Sequence, residues 1–175
     1  MAQEIEHRFL LPALPALDVP ALPIVQGYLS SHPEKTVRIR RAGDKAWLTV
    51  KGPKANGAGD EFEYAIPLDD ALRMLGLCGE ENTLSKDRYV WKNPDDGHIW
   101  EIDNFTGRHA GLVIAELELP AQGTPYKKPA WIETGVDITD DFRFANAALP
   151  ALGRALVLDM VREVLEKTAA APRAC

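Results

Sequence analysis

The chain has 175 residues and a formal net charge of −6 at pH 7. That length suits one domain with a real hydrophobic core, and the acidic balance makes nucleic-acid backbones and anionic membranes poor partners. Cys78 and Cys175 are too few and too far apart to indicate a disulfide framework or a zinc site. No signal segment begins the sequence, and no apolar run approaches the ~20 residues of a membrane helix. We therefore expect a cytoplasmic protein with no nucleic-acid or membrane partner.

The first predicted strand, residues 2–10, carries charged side chains at every second position. Successive side chains of a strand point to opposite faces, so Glu4, Glu6 and Arg8 share one face of it. For a single strand, a solvated outer face is the ordinary interpretation. Repetition along the chain changes that interpretation, because six later segments place two polar or charged residues on one face in the same way. They are Arg38 with Arg40, Thr49 with Lys51, Glu61 with Glu63, Lys86 with Arg88, Glu101 with Asp103, and Glu116 with Glu118.

The elements predicted in chain order are about eight mostly antiparallel strands with short helices. After the first strand, a proline-punctuated connector over 12–23 precedes strands at 24–29, 37–41, 46–51, 61–66, 86–91, 99–105, 112–119 and 131–138. Asp69 or Asp70 is predicted to cap a short helix with Leu72 and Leu75 buried. Thr139 is predicted to cap a second helix, amphipathic to about residue 168. His109 lies near a turn and is expected in solvent.

The paired residues comprise eight acids and six bases, which define a sheet with one charged and one apolar side. With the charged side outward, the apolar side would line a small barrel core. With it inward, the charges would have to pair, hydrate or bind ions. A lumen of that second kind could hold a polyanion with its bases and metal ions with its acids. The physical argument leaves both orientations open.

A family resemblance favours the inward orientation. Residues 4–8 resemble the ExExK signature of the CYTH superfamily, the triphosphate tunnel metalloenzymes, and later segments resemble that family's successive strand motifs in order. These are residues 26–29, 37–40, 48–52, 61–64, 86–89, 100–103, 115–119 and 137–146. The resemblance implies a mainly β (α+β) fold: an eight-stranded antiparallel β-barrel, or tunnel, with a charged interior and amphipathic helices packed outside. The resemblance spans roughly residues 2–150. Together with the predicted C-terminal helix it gives one expected domain over residues 1–168, and the composition of residues 169–175 predicts a disordered tail.

The resemblance and the residue chemistry together assign candidate site residues. Phosphate oxygens need cationic partners, which Arg8, Arg38, Arg40, Lys51, Lys86 and Arg88 supply. Hard oxygen ligands suit Mg²⁺ or Mn²⁺, and they are supplied by Glu4, Glu6, Glu116 and Glu118. The predicted catalytic set is these four acids with Lys86 and Tyr28. A second set of acids either ligates metal or pairs with the bases, and the sequence leaves both roles open: Glu61, Glu63, Glu101 and Asp103.

The expected function is metal-dependent hydrolysis of a triphosphate, above all inorganic tripolyphosphate to pyrophosphate and phosphate. One alternative is an enzyme acting on an organic triphosphate: a thiamine triphosphatase, a nucleoside triphosphatase or an adenylyl cyclase. That alternative needs a ring-recognition site, for which Trp47 is the obvious candidate, although Trp47 could equally plug one end of the tunnel. Another is a non-catalytic polyphosphate-binding module. Two departures from the family pattern are Arg8 in place of lysine and Gly59 in place of a frequent arginine. The oligomeric state is left open.

Overall fold

The computed structural model describes residues 5–32, 35–52, 60–121 and 123–170. Its strands are β1 (Ile5–Leu10), β2 (Ala21–His32), β3 (Lys35–Ala42), β4 (Lys45–Lys51), β5 (Glu61–Ala65), β6 (Thr83–Lys92), β7 (Ile99–Thr106), β8 (Val113–Leu119) and β9 (Val136–Asp137). The helices are α1 (Leu68–Cys78) and α2 (Arg154–Ala170). Neither of these described helices is long and apolar enough to cross a lipid bilayer.

The strands form a nine-stranded sheet in the order β5-β4-β3-β2-β6-β7-β8-β1-β9, with antiparallel neighbours throughout. The ninth strand is only two residues long, and β5 and β9 form the two edges of the sheet. Arg40 of β3 interacts electrostatically with Arg88 of β6 and Glu101 of β7, although β2 lies between them. The sheet therefore curls toward the side that carries these charges. The predicted mainly β, antiparallel, barrel-like fold is confirmed, although the sheet is not closed.

Cross-strand register brings the predicted charged pairs onto one side of the sheet. Arg8 of β1 lies opposite Glu116 of β8, which lies opposite Glu101 of β7. On the neighbouring pair of strands, Arg88 of β6 lies opposite Asp103 of β7. We call this curved, charged side the tunnel face and the opposite side the outer wall.

The outer wall is apolar and well covered. Trp100, Ile102, Ala115 and Leu117 are fully buried there. Over β1 and β6–β8 the cover comes from segments outside the sheet, which contribute Leu14, Leu17, Tyr126, Trp131 and Ile132. The last two lie in a 3₁₀ helix, Ala130–Thr134, so the strand predicted over 131–138 is wrong except at Val136–Asp137. Over β2–β4 the cover is α1, packed on Ile39 and Ala46 through Ala71, Met74 and Leu75. Burial of this wall contributes hydrophobic stabilisation to the sheet.

Helix α1 begins differently from the prediction. Pro67 occupies the N-cap position, and no side chain caps the helix. Asp69 and Asp70 lie inside the first turn, where their negative charge is favourable to the helix dipole. The predicted burial of Leu72 is wrong, since 45% of its surface is exposed.

The single long helix predicted after Thr139 is also wrong. Short 3₁₀ turns occupy Phe142–Phe144 and Leu149–Ala151, and α2 begins only at Arg154. Pro150 lacks an amide hydrogen, which favours a break in helical structure there, and the hydroxyl of Thr139 accepts a hydrogen bond from the Arg8 amide at 3.1 Å instead of capping a helix. Helix α2 continues to Ala170, two residues beyond the predicted domain end at 168, and residues 171–175 of the predicted tail lie outside the described residues. The single domain over residues 1–168 stays a prediction.

The C-terminal segment packs against the tunnel face. Strands β1, β6, β7 and β8 each carry an apolar residue two positions from a charged one, and a spacing of two keeps both on the same face. The apolar residues are Leu10 on β1, Leu84 on β6, Phe105 on β7 and Ile114 on β8. They form one buried cluster with Ile138, Phe144, Leu149, Val157 and Met160. We call residues 138–165 the C-terminal cap. Helix α1 thus lies on the outer wall as expected, whereas α2 covers the tunnel face beyond the charges, because the inner surface is apolar there.

His109 takes part in this packing. Its side chain is buried, and Nε2 lies 2.9 Å from the carbonyl oxygen of Leu149. The expectation that His109 lies in solvent is therefore wrong.

The packing of α1 on β2 requires a glycine at position 27. A Cβ atom on Gly27 would lie 2.7 Å from Cys78 Sγ and 2.9 Å from Cys78 Cβ. We expect Gly27→Ala to lower the free energy of unfolding by about 1–3 kcal/mol, the usual cost of overpacking. Urea denaturation measures this, and Cys78→Ala in the same chain should recover part of the loss by removing the nearer contact. Equal stability of Gly27→Ala and the wild type would contradict the packing.

Candidate active site

A buried cluster of ion pairs lies on the tunnel face of β6–β8. Lys86 Nζ and the Arg88 guanidinium both bind Asp103, whose side chain is fully buried. Arg88 grips that carboxylate with two hydrogen bonds, from Nε and Nη2, each 2.6 Å long. Arg88 also pairs with Glu101 and, at 2.9 Å, with Glu116. Three neighbouring strands thus contribute two bases and three acids to one cluster, in which the three acids are separated by the Arg88 guanidinium that each of them contacts.

This cluster shifts the pKa values of its members in opposite directions. Burial alone would raise the pKa of Asp103, but Lys86 and Arg88 outweigh it and hold that pKa below its usual value. Burial raises the pKa of Glu116 to about 7, with help from the negative charges of Asp103 and Glu6 and against the opposing effect of the two bases. Asp103 is therefore a firmly ionised partner of the bases, whereas Glu116 is short of compensating positive charge.

A second cluster lies on the tunnel face of β3–β5 and is rich in positive charge. Arg38 Nη2 and Arg40 Nη2 approach the carboxylate of Glu63 at 3.3 and 3.2 Å. Thr49, fully buried, donates a hydrogen bond of 2.8 Å to the same carboxylate. Lys51 and Glu61 form a more exposed pair at 2.9 Å. One carboxylate shared by two guanidinium groups leaves a net positive charge at this place.

The two arginines retain hydrogen-bonding capacity. The Nε atoms of Arg38 and Arg40 are buried, and neither has an acceptor among the described residues. Burial lowers the pKa of Arg40, and the neighbouring positive charge of Arg38 lowers it further. Buried donors are normally satisfied, so these groups suit an anionic ligand that carries several oxygens.

Tyr28 lies on the tunnel face, since it is the cross-strand partner of Arg38. From the sequence it could orient Lys86, but the hydrogen bonds that the structure gives to Tyr28 and Lys86 join them to other residues. The Tyr28 hydroxyl accepts a hydrogen bond of 2.8 Å from Gln26 Nε2. Burial raises the pKa of Tyr28 to about 12, so the phenol stays protonated at neutral pH. Lys86 is oriented by Asp103 and, at 3.4 Å, by the side-chain oxygen of Asn146. Sequence reasoning missed Gln26, because a polar residue beside a glycine carries no distinctive signal.

Arg8 ties β1 to the C-terminal cap. Its Nη2 donates a hydrogen bond of 2.9 Å to the carbonyl oxygen of Thr139, and its backbone amide bonds to the Thr139 hydroxyl. A guanidinium has several donors, so one can hold the cap while others face the tunnel. An arginine at position 8, where the family pattern has lysine, can therefore bind the C-terminal cap and still present donors to the tunnel face.

The predicted metal ligands are brought together only in part. Glu6 on β1 and Glu118 on β8 are cross-strand partners, and both are exposed. Glu116 lies two residues before Glu118 on β8, opposite Arg8, and is buried. Glu4 and Gly59 lie outside the described residues. Within the described ranges, no group of three or more acidic or histidine side chains converges at metal-binding distance. The donors nevertheless fit a hard divalent cation, since they are carboxylate oxygens and the bases near Glu116 do not outweigh its burial and its negative neighbours.

Fold and site together define an antiparallel β tunnel built to hold a multiply charged anion between arginines and lysines, with carboxylates at hand for cations. A family model of the CYTH domain matches residues 2–143. The chain belongs to the CYTH family.

Two characterised relatives cover nearly the same range. The chain is 40% identical to a protein named inorganic triphosphatase from Acetivibrio thermocellus. The aligned region of 151 residues covers 85% of this chain and 94% of the relative. It is 32% identical over 150 residues to an inorganic triphosphatase from Nitrosomonas europaea, covering 83% of this chain and 95% of the relative. A crystal structure described as the inorganic triphosphatase NE1496 superposes with a TM-score of 0.66 at 30% identity, covering 87% of this chain and 97% of that one.

Proposed function

We propose that this protein hydrolyses inorganic tripolyphosphate to pyrophosphate and phosphate with Mg²⁺ or Mn²⁺ as the cofactor. The main support is the surplus of guanidinium donors on the tunnel face, where Arg38 and Arg40 share one carboxylate and keep buried N–H groups without an acceptor among the described residues. Both characterised relatives are named inorganic triphosphatases. The proposal includes a reducing, cytoplasmic setting, which two distant cysteines favour.

The proposed phosphate-binding residues surround the tunnel face on four strands. A linear triphosphate carries negative oxygens along its length, so partners on facing parts of a curled sheet hold it along that length. Multiple fixed donors also orient the anhydride bond for attack by water. The proposed set is Arg8 on β1, Arg38 and Arg40 on β3, Lys51 on β4, and Lys86 and Arg88 on β6.

The proposed metal ligands are the carboxylates at β1 and β8: Glu4, Glu6, Glu116 and Glu118. A bound divalent cation would neutralise phosphate oxygens and supply an activated water. For the second set of acids, the ion pairs support the partner role, because Glu61, Glu63, Glu101 and Asp103 all contact bases. These four acids keep the bases aligned and limit their mutual repulsion.

Lys86 and Tyr28 complete the proposed catalytic set. Lys86 is a buried ammonium held by Asp103, so its positive charge is fixed and can stabilise negative charge on a departing phosphate oxygen. Tyr28 remains a neutral phenol because of its raised pKa, and can donate a hydrogen bond to a phosphate oxygen while Gln26 holds its ring in place.

The test is phosphate release from tripolyphosphate, ATP and thiamine triphosphate side by side, each with Mg²⁺, with Mn²⁺ and with excess chelator. We expect fastest turnover of tripolyphosphate, no turnover in chelator, and recovery when metal is restored. Glu6→Gln should lower this activity, whereas the control Glu133→Gln, an exposed acid away from the tunnel face, should not.

Three outcomes would contradict the proposal. Full activity in metal-free protein would remove the metal from the mechanism. Faster turnover of ATP or thiamine triphosphate would favour an organic substrate. Strong thermal stabilisation by tripolyphosphate without hydrolysis of any triphosphate would favour a polyphosphate-binding module.

A further inference from the structure

Trp47 is set apart from the other three tryptophans of the chain. It lies on β4, directly opposite Arg40 on β3. Trp91, Trp100 and Trp131 all belong to the apolar cluster of the outer wall, whereas Trp47 shares the tunnel face with Arg40. An indole among charged side chains needs an explanation other than core packing.

The Arg40 guanidinium lies over the face of the Trp47 indole ring. Arg40 Cζ lies 5.1 Å from the centroid of the Trp47 ring, within the range of an energetically significant cation–π contact. Arg40 Nη2 is held at the same time by both oxygens of Glu63, at 3.2 and 3.3 Å. The indole on one side and the carboxylate on the other thus restrict a long side chain that would otherwise sample many rotamers.

We propose that Trp47 is a positioning residue that holds the Arg40 guanidinium ready for the phosphates of the substrate and does not serve as a stacking platform for an organic ring. The inference rests on the proposed function and specifies how its site recognises the phosphate chain of the substrate. Because the cationic side chain covers the indole, a nucleobase or thiazole could stack there only by displacing Arg40 from Trp47. Preorganisation of Arg40 benefits every triphosphate equally, so the contact favours recognition of phosphate over recognition of a ring.

The first test compares two replacements of Trp47. Trp47→Leu removes the cation–π contact but keeps an apolar side chain, and it should weaken tripolyphosphate binding roughly threefold to tenfold. The loss should appear in KM and in Kd measured with chelator present, with kcat nearly unchanged, because the contact acts in ground state and transition state alike. Trp47→Phe retains an aromatic face and should restore most of the affinity. Equal affinity of the wild type and Trp47→Leu would overturn the proposal.

The second test asks whether Trp47 acts through Arg40. In an Arg40→Ala background, Trp47→Leu should cause no further loss of affinity, since the group that Trp47 holds is gone. In the wild-type background, Trp47→Leu should weaken the binding of ATP and the binding of tripolyphosphate by the same factor. A loss confined to ATP would show ring stacking, and fully additive losses in the double variant would show independent roles; either result would overturn the proposal.

Fluorescence supplies a readout that a merely structural role would not move. Tripolyphosphate bound at Arg40 should change the emission of Trp47, and this change should vanish in Trp47→Phe while binding persists. A change that survives in Trp47→Phe would place the reporter elsewhere and overturn the proposal. Because Kd and emission are measured without turnover, failure of the wild type to hydrolyse tripolyphosphate would reject the proposed function separately from the positioning role.

Discussion

Replacing Asp103 with alanine is expected to destabilise the protein by about 3–5 kcal/mol, the usual cost of leaving a buried charge without its partner. Asp103 is fully buried and binds both Lys86 and Arg88. Arg88 keeps two other carboxylates in the variant. The side chain of Lys86 is only 2% exposed and loses its one close carboxylate partner among the described residues, keeping a hydrogen bond of 3.4 Å to Asn146 and a contact with the Phe105 ring. Urea denaturation at pH 7 measures the loss of stability. We attribute that loss to the buried positive charge of Lys86, which has no carboxylate partner in the variant.

Two further variants isolate that explanation. Glu101→Ala also removes a partner of Arg88, but the side chain of Glu101 is one-third exposed. We therefore expect this substitution to lower the free energy of unfolding much less, by no more than about 1 kcal/mol. Combining Asp103→Ala with Lys86→Met should recover stability, because the orphaned charge is removed together with its partner. The explanation fails if Asp103→Ala costs no more than Glu101→Ala, or if the double variant is less stable than Asp103→Ala alone.

Glu116→Gln is expected to lower turnover of tripolyphosphate by ~10² or more, the order of effect seen when one preorganised electrostatic element is lost. The same substitution should stabilise the metal-free protein at pH 8, because Glu116 is a buried carboxylate whose pKa is raised from 4.5 to about 7. The folded protein holds this proton more tightly than the unfolded chain does. The resulting stabilisation is complete below pH 4.5 and is lost as the pH rises through about 7.

The difference between Glu116→Gln and the wild type therefore has a defined dependence on pH. At pH 8 in chelator the variant should be more stable by on the order of 3 kcal/mol, from about 1.4 kcal/mol per unit of pKa shift, and at pH 4 the two should be nearly equal. Divalent metal should shrink the difference at pH 8, because a cation at Glu116 compensates the wild-type charge. A variant that is less stable than the wild type by the same amount at both pH values would contradict the raised pKa.

The alternation of charged and apolar residues predicted the strands and their faces well. A period of two is a local property, so Glu116, Leu117 and Glu118 already assign one side to the tunnel and the other to the outer wall. Antiparallel order follows from short turns such as Gly43–Asp44 between β3 and β4. The direction in which the sheet curls does not follow from periodicity, and the family resemblance supplied it.

The contacts between distant segments were beyond the reach of the sequence. Asp103 and Glu116 look alike as carboxylates on paired strands. Lys86 and Arg88 outweigh the burial of Asp103, whereas at Glu116 burial and the negative charges of Asp103 and Glu6 outweigh the same two bases. Likewise, an indole at position 47 is compatible with a stacking platform, a plug or a clamp, and only the approach of Arg40 separates them. The break before the C-terminal helix has a local signal in Pro150, which the apolar period alone does not contain. The burial of His109, by contrast, depends on packing against Leu149, 40 positions away in the chain.

The hydrogen bonds from Arg8 to Thr139 and from Lys86 to Asn146 have a consequence for the order of events during biosynthesis. They join residues 131 and 60 positions apart in the chain. Strands β1 to β8 leave the ribosome with their bases and acids in place, several seconds before the cap at typical rates of about 5–20 residues per second. Until residues 139–146 emerge and dock, Arg8 and Lys86 lack these contacts, and the apolar end of the tunnel face lies bare to water. The charged cluster on the tunnel face is therefore complete only after the C-terminal cap has been synthesised and has docked.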